Sequence, residues 1–173
     1  MNSVNRRLAQ LTLLVASTLV AVGCQTSPPQ QDRSVLLQRM DALVQGAQPD
    51  AGVRMITQPD PVVTGQTLAV EVGTNQAGYL YLYQITTDGR TLNVVFPNSM
   101  DGANYIQSGV TRLPRASWQL KAYGPAGVGY LVAVVTPQPL DLLKLQADVV
   151  QGQFGVSQAY GSAVATLREI TAR

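Results

Sequence analysis

The chain has 173 residues, 12 basic and 10 acidic side chains, one cysteine and no histidine. Lacking histidine, it has no Ser–His or Cys–His catalytic pair and no imidazole metal ligand. Near-neutral charge leaves no electrostatic footprint for nucleic acid and no polybasic segment for anionic lipid.

The N-terminus reads MNSVNRRLAQLTLLVASTLVAVGC. Arg6 and Arg7 precede a mostly apolar run from Leu8 to Val22, the layout of a secretory signal peptide over residues 1–23. The run carries Gln10, Thr12, Ser17 and Thr18 and is short of the about 20 apolar residues that a spanning helix needs. Ala21-Val22-Gly23-Cys24 resembles the lipobox of bacterial lipoprotein precursors, with Ala21 where Leu is usual. That resemblance implies diacylglycerol on the Cys24 sulfur, cleavage before Cys24 and acylation of the new amino group, palmitate included. By similarity to enterobacterial lipoproteins, Gln25 in place of Asp implies sorting to the outer membrane; the expectation, which does not follow from Gln25, is a domain that faces the periplasm. A lone cysteine in an exported chain otherwise asks for an explanation, and several acyl chains would hold the protein on a membrane. Cleavage also removes Arg6 and Arg7, so the mature formal charge is zero.

Residues 24–34 form a lipid-anchored linker in this reading, rich in Pro, Gln and Ser. Residues 35–173 are long enough for a single domain with a real core. Ser34 as N-cap, an apolar stripe of Val35, Leu36, Met40, Leu43 and Val44, and a stop at Gly46 predict a helix over 35–45. Turn-rich segments follow around Pro49 and Pro59, with a short strand, VRMIT, between them. From Thr67 the period becomes two. TLAVEV sets Leu68, Val70 and Val72 on one face, and SWQLKA does the same with Trp118, Leu120 and Ala122. VGYLVAVV, residues 128–135, is apolar on both faces and predicts a central strand.

GYLYLYQITTDGRTLNVVFPN, residues 78–98, predicts a hairpin with a type I′ turn at Asp88-Gly89. That turn would set Ile85 against Leu92, Tyr83 against Val94 and Tyr81 against Phe96 on the core face. The other face would pair Thr86 with Thr91, Gln84 with Asn93 and Leu82 with Val95, and a terminal helix would cover its apolar end. After Pro137, the spacing of Leu140, Leu143, Ala147 and Val150 predicts a helix over 139–150 with Pro139 in its first turn. A second helix is predicted over about 162–171. The fold class is therefore mainly β, a sandwich with an N-terminal helix and C-terminal helices.

Residues 64–140 resemble an uncharacterised bacterial domain family found in envelope lipoproteins and fused to caspase-like peptidases or protein kinases. The residues that carry the resemblance are Gly78-Tyr79-Leu80-Tyr81-Leu82, Asp88-Gly89, Phe96-Pro97-Asn98, Gly124-Pro125-Ala126-Gly127 and Thr136-Pro137-Gln138-Pro139-Leu140. It implies an immunoglobulin-like antiparallel sandwich and no catalytic residues.

Enzyme chemistry finds little material. The remaining options are a Ser117–Lys121 dyad, about 13 Å apart along a strand and read as solvated surface, or a carboxylate pair drawn from two glutamates and turn-bound aspartates. NSMDGAN, residues 98–104, gathers Asn98, Asp101 and Asn104 without a calcium-loop spacing, so turn chemistry is favoured over a metal. Tyr79, Tyr81 and Tyr83 alternate along one strand and are read as core rather than a sugar-stacking ladder. The long loop Asn98–Gly109 is the candidate partner-binding element, with Asn98, Asp101, Asn104 and Tyr105 as its contact residues. The expectation is a lipoprotein of the envelope that works without catalysis, metal or cofactor. It would act as an interaction module with a protein partner, and the family context adds a secretion-system accessory. The alternative is a module that binds a cell-wall glycan or small ligand.

Overall fold

The computed structural model describes residues 33–172. The expected signal peptide, lipobox and Cys24 lie outside these residues. The described chain is mainly β, in antiparallel and mixed sheets.

Helix α1 (Arg33–Gln45) opens the described chain. It includes Ser34 rather than being capped by it. Leu36, Met40 and Leu43, at spacings of four and three, form its buried stripe, while Val44 is exposed. A lone 13-residue helix is marginal in water, so packing of this stripe is what holds it. A short 3-10 turn (Pro49–Ala51) leads to β1 (Arg54–Gln58), then β2 (Val62–Val63), β3 (Thr67–Thr74) and β4 (Gly78–Ile85). There follow β5 (Leu92–Phe96), β6 (Tyr105–Ile106), β7 (Gly109–Leu113), β8 (Leu120–Lys121) and β9 (Gly127–Thr136). Helix α2 (Leu142–Val150) and β10 (Gly161–Ile170) complete the described residues.

One sheet has the order β1-β3-β7, with β8 also paired to β3. The other has the order β2-β10-β9-β4-β5, with β6 also paired to β4. Pairing is antiparallel except between β2 and β10, which run parallel. VRMIT supplies β1, and β9 is central as its two-sided apolar sequence requires.

Two buried clusters flank the larger sheet. Between the sheets, Leu68, Val70 and Val72 of β3 meet Leu80 and Leu82 of β4 and Leu131, Ala133 and Val135 of β9. On the opposite face, Tyr81, Tyr83 and Ile85 of β4 and Val132 and Val134 of β9 pack on Leu36 and Met40 of α1 and Leu145 of α2. The faces of β4 are thus covered in the reverse sense to the expectation. The second sheet covers the leucines, and the helices cover the tyrosines. Each tyrosine hydroxyl finds a partner: Tyr83 donates to the Phe154 carbonyl at 2.8 Å, and Tyr81 accepts from the Leu140 amide at 2.7 Å. Burial pushes the Tyr83 phenol far above its ordinary pKa.

The β4–β5 hairpin keeps the expected pairs Tyr83–Val94, Gln84–Asn93 and Ile85–Leu92. It departs at both ends. Gly89 has φ +71°, but Asp88 does not have positive φ, so the turn is not type I′. The Gly89 amide instead donates to the Thr86 carbonyl, and the Thr86 amide donates to the Thr91 carbonyl across a four-residue loop. At the other end a β-bulge pairs Leu82 with Phe96 rather than Val95. One extra residue turns Phe96 from the tyrosine face to the face between the sheets.

The second C-terminal helix does not form. Residues 161–170 are β10, antiparallel to β9 over nine positions from Gly161↔Val135 to Glu169↔Gly127. The Ala-rich composition permits a helix, but the empty flank of β9 offers a full ladder of backbone bonds, and tertiary pairing overrides propensity. Helix α2 starts at Leu142, with Asp141 as N-cap accepting from the Leu143 and Lys144 amides, so Pro139 lies outside it. Its buried residue is Leu145, whereas Leu143 and Val150 of the expected stripe are 80% and 61% exposed.

Candidate functional site

The loop after β5 is built around the bulge. The Val95 carbonyl accepts from Asn98 Nδ2 at 3.0 Å. Asn98 Oδ1 accepts from the amides of Met100 and Asp101, both at 3.0 Å, a local turn of the kind Asn favours. Asn98 and Asp101 also form an isolated β-bridge, so part of the expected loop is regular. Tyr105-Ile106 forms β6 against Tyr79 and Gly78, which shortens it further.

This turn drives the Asp101 carboxylate inward, to 8% exposure. Oδ1 accepts from Arg115 Nη1 at 2.9 Å, and Oδ2 accepts from Trp118 Nε1 at 3.2 Å. The Arg115 guanidinium lies 5.2 Å from the Phe96 ring centre and also donates to the Ala103 carbonyl at 2.8 Å. Phe96 stacks on Trp118, 4° from parallel with centres 6.3 Å apart. Asp101, Arg115, Phe96 and Trp118 thus tie the loop to the region that follows β7, and Phe96 and Trp118 belong to the core between the sheets. A buried carboxylate costs stability unless paired and hydrogen-bonded, and here both oxygens are engaged.

Asn104 joins the loop to β4. Its Nδ2 donates to the Leu80 carbonyl at 3.2 Å, and its carbonyl accepts from the Leu80 amide at 2.8 Å. Tyr105 is the exception among the candidates. It is 52% exposed, edge-on to Tyr79 with centres 5.1 Å apart. Of the four residues singled out in the sequence, three are tied into the fold and one presents an aromatic ring to solvent on a braced support.

Ser117 lies in a turn rather than on a strand, because only Leu120-Lys121 of SWQLKA pairs with β3. It is exposed and shares a shallow depression with Lys121 and Tyr123. Among the described residues, no three of His, Cys, Asp and Glu gather as a metal-holding group.

A second feature was not legible in the sequence. A groove of about 560 Å³ runs between β5 and α2, lined by Leu92, Val94, Pro97, Leu145, Val149 and Val150 among others. The only signal for it was a helix with leucines on more than one side, which packs one stripe and leaves another in solvent.

Residues 62–139 match a family described as a domain of unknown function (DUF4384). The match runs from β2 past the end of β9 and takes in the whole Asn98–Gly109 loop with its Asp101 anchor. Helix α1, β1, α2 and β10 lie outside it. No curated protein and no solved structure matches the chain. Among the described residues, no helix is long and apolar enough to cross a membrane.

Proposed function

We propose that the chain is a lipoprotein anchored through Cys24 to the periplasmic face of the outer membrane. Its two facing sheets form an immunoglobulin-like sandwich that serves as a non-catalytic contact module for a protein partner in an envelope assembly. A secretion-system accessory is the assembly that the family resemblance suggests. The observation that carries the contact reading is Tyr105. It is half exposed, while Asn98, Asp101 and Asn104 around it are spent on holding the loop in shape. A rigid, half-exposed aromatic is the residue type that anchors interfaces at low entropic cost.

The test measures thermal stability and partner retention together for Tyr105→Ala. An unchanged midpoint with lost retention supports the contact reading. Retention that merely tracks the folded fraction sinks it. The anchor is tested separately. Cys24→Ser should abolish acylation and release the protein from the membrane fraction, and normal membrane fractionation of that variant would refute the lipoprotein reading.

The groove between β5 and α2 favours a second reading, a glycan or small-ligand module, since its volume of about 560 Å³ is in the usual range for such sites. Pelleting with purified cell wall, lost on Val149→Arg with the fold intact, would support it over the first.

A further inference from the structure

We infer that the outer edge of β5 and the adjoining flank of α2 form an acceptor for an extended strand of a partner protein, a segment that is uncharged and apolar at every second residue. The inference deepens the protein-contact reading and rests on it, but uses a different surface from Tyr105.

The hydrogen bonds of the hairpin say which backbone groups face outward. The Thr86 amide donates to the Thr91 carbonyl, so Thr86 and Thr91 are a hydrogen-bonded pair. Bonded and non-bonded pairs alternate along an antiparallel ladder. Gln84 lies opposite Asn93 and Ile85 opposite Leu92. Asn93 therefore turns its amide and carbonyl towards β4, and Leu92 and Val94 turn theirs away. Among the described residues, no strand lies on that side of β5. The open stretch ends at the bulge, where the Val95 carbonyl accepts from Asn98 Nδ2 and Pro97 has no amide to give.

The other strand edges are guarded. Strand β1 carries Arg54, β7 carries Arg112, and β2, β6 and β8 are two residues each. Charge and shortness are ordinary ways to stop an edge from recruiting another chain. Strand β5 has five residues and no charge, and its bulge leaves Leu92–Val94 regular.

The groove supplies the other half of the site. Leu92 and Val94 belong to the cluster on the helix side of the sheet, so the Asn93 side chain points to the opposite face. Asn93 nevertheless lines the groove, which places the groove along the backbone edge as well as over the side chains. Leu142 and Val150 on the overlying flank of α2 are exposed. No residue that lines the groove is charged, so its electrostatic complement is a neutral segment. A strand laid ~4.8 Å from β5 would bond to Leu92 and Val94 and set every second side chain beneath Leu142, Val149 and Val150. The side chains between would face away from α2, as Asn93 does, and can be polar. A compact ligand would fill the hollow and leave the ladder unmet, whereas a strand meets both.

The full chain, purified in detergent, is panned against a displayed library of short random peptides, and the enriched sequences are synthesised. The expected peptides are neutral, with apolar residues at alternate positions. N-methylation of the alternate amides on one edge should weaken binding at least about tenfold, and methylation of the other set should change it less than about twofold. Asn93→Lys places a guarding charge at an exposed position and should release the peptides without moving the melting midpoint. Val150→Arg, on the exposed flank of α2, should do the same. Tyr105→Ala should bind them as the wild type does. If no enriched peptide is released by Asn93→Lys, or if N-methylation makes no difference, the strand acceptor is overturned. Peptides released by Tyr105→Ala and not by Asn93→Lys would uphold the Tyr105 contact and overturn this one. Self-association of the full chain that Asn93→Lys abolishes would assign the edge to a second copy and overturn it too.

Discussion

Replacing Asp101 by alanine tests whether the Asn98–Gly109 loop is held by one buried carboxylate. In the folded chain Asp101 accepts from Trp118 Nε1 and Arg115 Nη1 at 3.2 and 2.9 Å. Removing it strands the indole N–H of a residue that is only 9% exposed, and an unmet buried donor costs about 1–3 kcal/mol. The Arg115 side chain is 35% exposed, so water takes up part of its loss, and that contact adds only about 1 kcal/mol. The sum is about 2–4 kcal/mol, and at roughly 2–4 °C per kcal/mol for a domain near this size the midpoint should fall by about 5–15 °C. Asp101→Asn keeps one oxygen for the indole and should cost about half as much. Trp118 is the only tryptophan, so its emission reports on the site directly and should move to the red in Asp101→Ala before global unfolding. Melts followed by circular dichroism and by tryptophan emission measure both effects. A midpoint within about 1 °C of the wild type, with unmoved emission, would refute the anchoring role.

Tyr83→Phe should lower stability by about 1–2 kcal/mol in denaturant melts, since it strands the buried Phe154 carbonyl that the hydroxyl now serves. Gly89→Val should cost about 1–3 kcal/mol, because φ is +71° and a side chain there meets Arg33; an unchanged midpoint would remove the turn geometry. Asp60, bonded to Arg168, and Asp88, bonded to the Thr86 hydroxyl and the Arg90 amide, both have depressed pKa values. The unfolded chain then binds their protons more tightly, so their contribution is present above the ordinary carboxylate range and is lost as pH falls through the folded values. Acid midpoints should shift in Asp88→Asn and Arg168→Gln, and identical acid profiles for wild type and both variants would show that these contacts do not matter to stability.

The sequence was most legible where alternation and turn residues agreed. In the β4–β5 hairpin, Gln84 against Asn93 and Ile85 against Leu92 follow from matching polar with polar and apolar with apolar. The bulge was invisible for the same reason. Val94, Val95 and Phe96 are all apolar, so no polarity mismatch marks the residue that slips. In α2, leucine at 142, 143 and 145 supports more than one stripe, and only the docking of Leu145 selects one. Asp101 read as an ordinary turn residue because its partners, Arg115 and Trp118, are 14 and 17 residues away. Three-dimensional proximity of that kind leaves no local pattern. Tyr105 was found by its place mid-loop, and what distinguishes it from its neighbours is exposure, which a sequence does not carry.

The family match and the folded unit have different edges, and this has a measurable consequence. Residues 62–139 contain β2 and β9, yet these strands are not neighbours; β10 lies between them and pairs with both. Without β10, β9 would present a free edge along the nine positions it now shares with that strand. Without α1 and α2, Tyr81, Tyr83, Ile85, Val132 and Val134 would lose the helical side of their cluster. The loss is not only of apolar contact. The Tyr83 hydroxyl bonds to Phe154, and that of Tyr81 to Leu140, both beyond the matched residues. Leaving about five apolar side chains half uncovered, at about half of the 1.5–3 kcal/mol that full burial of each contributes, removes about 4–7 kcal/mol, comparable to the lower end of the total stability of an ordinary domain. A 62–139 fragment should therefore show no cooperative melt and should aggregate along β9, whereas a 33–172 fragment should melt in one transition. A cooperatively folded 62–139 fragment, with dispersed amide resonances and a sharp thermal midpoint, would mean that the flanking helices and β10 decorate a self-sufficient core rather than complete it.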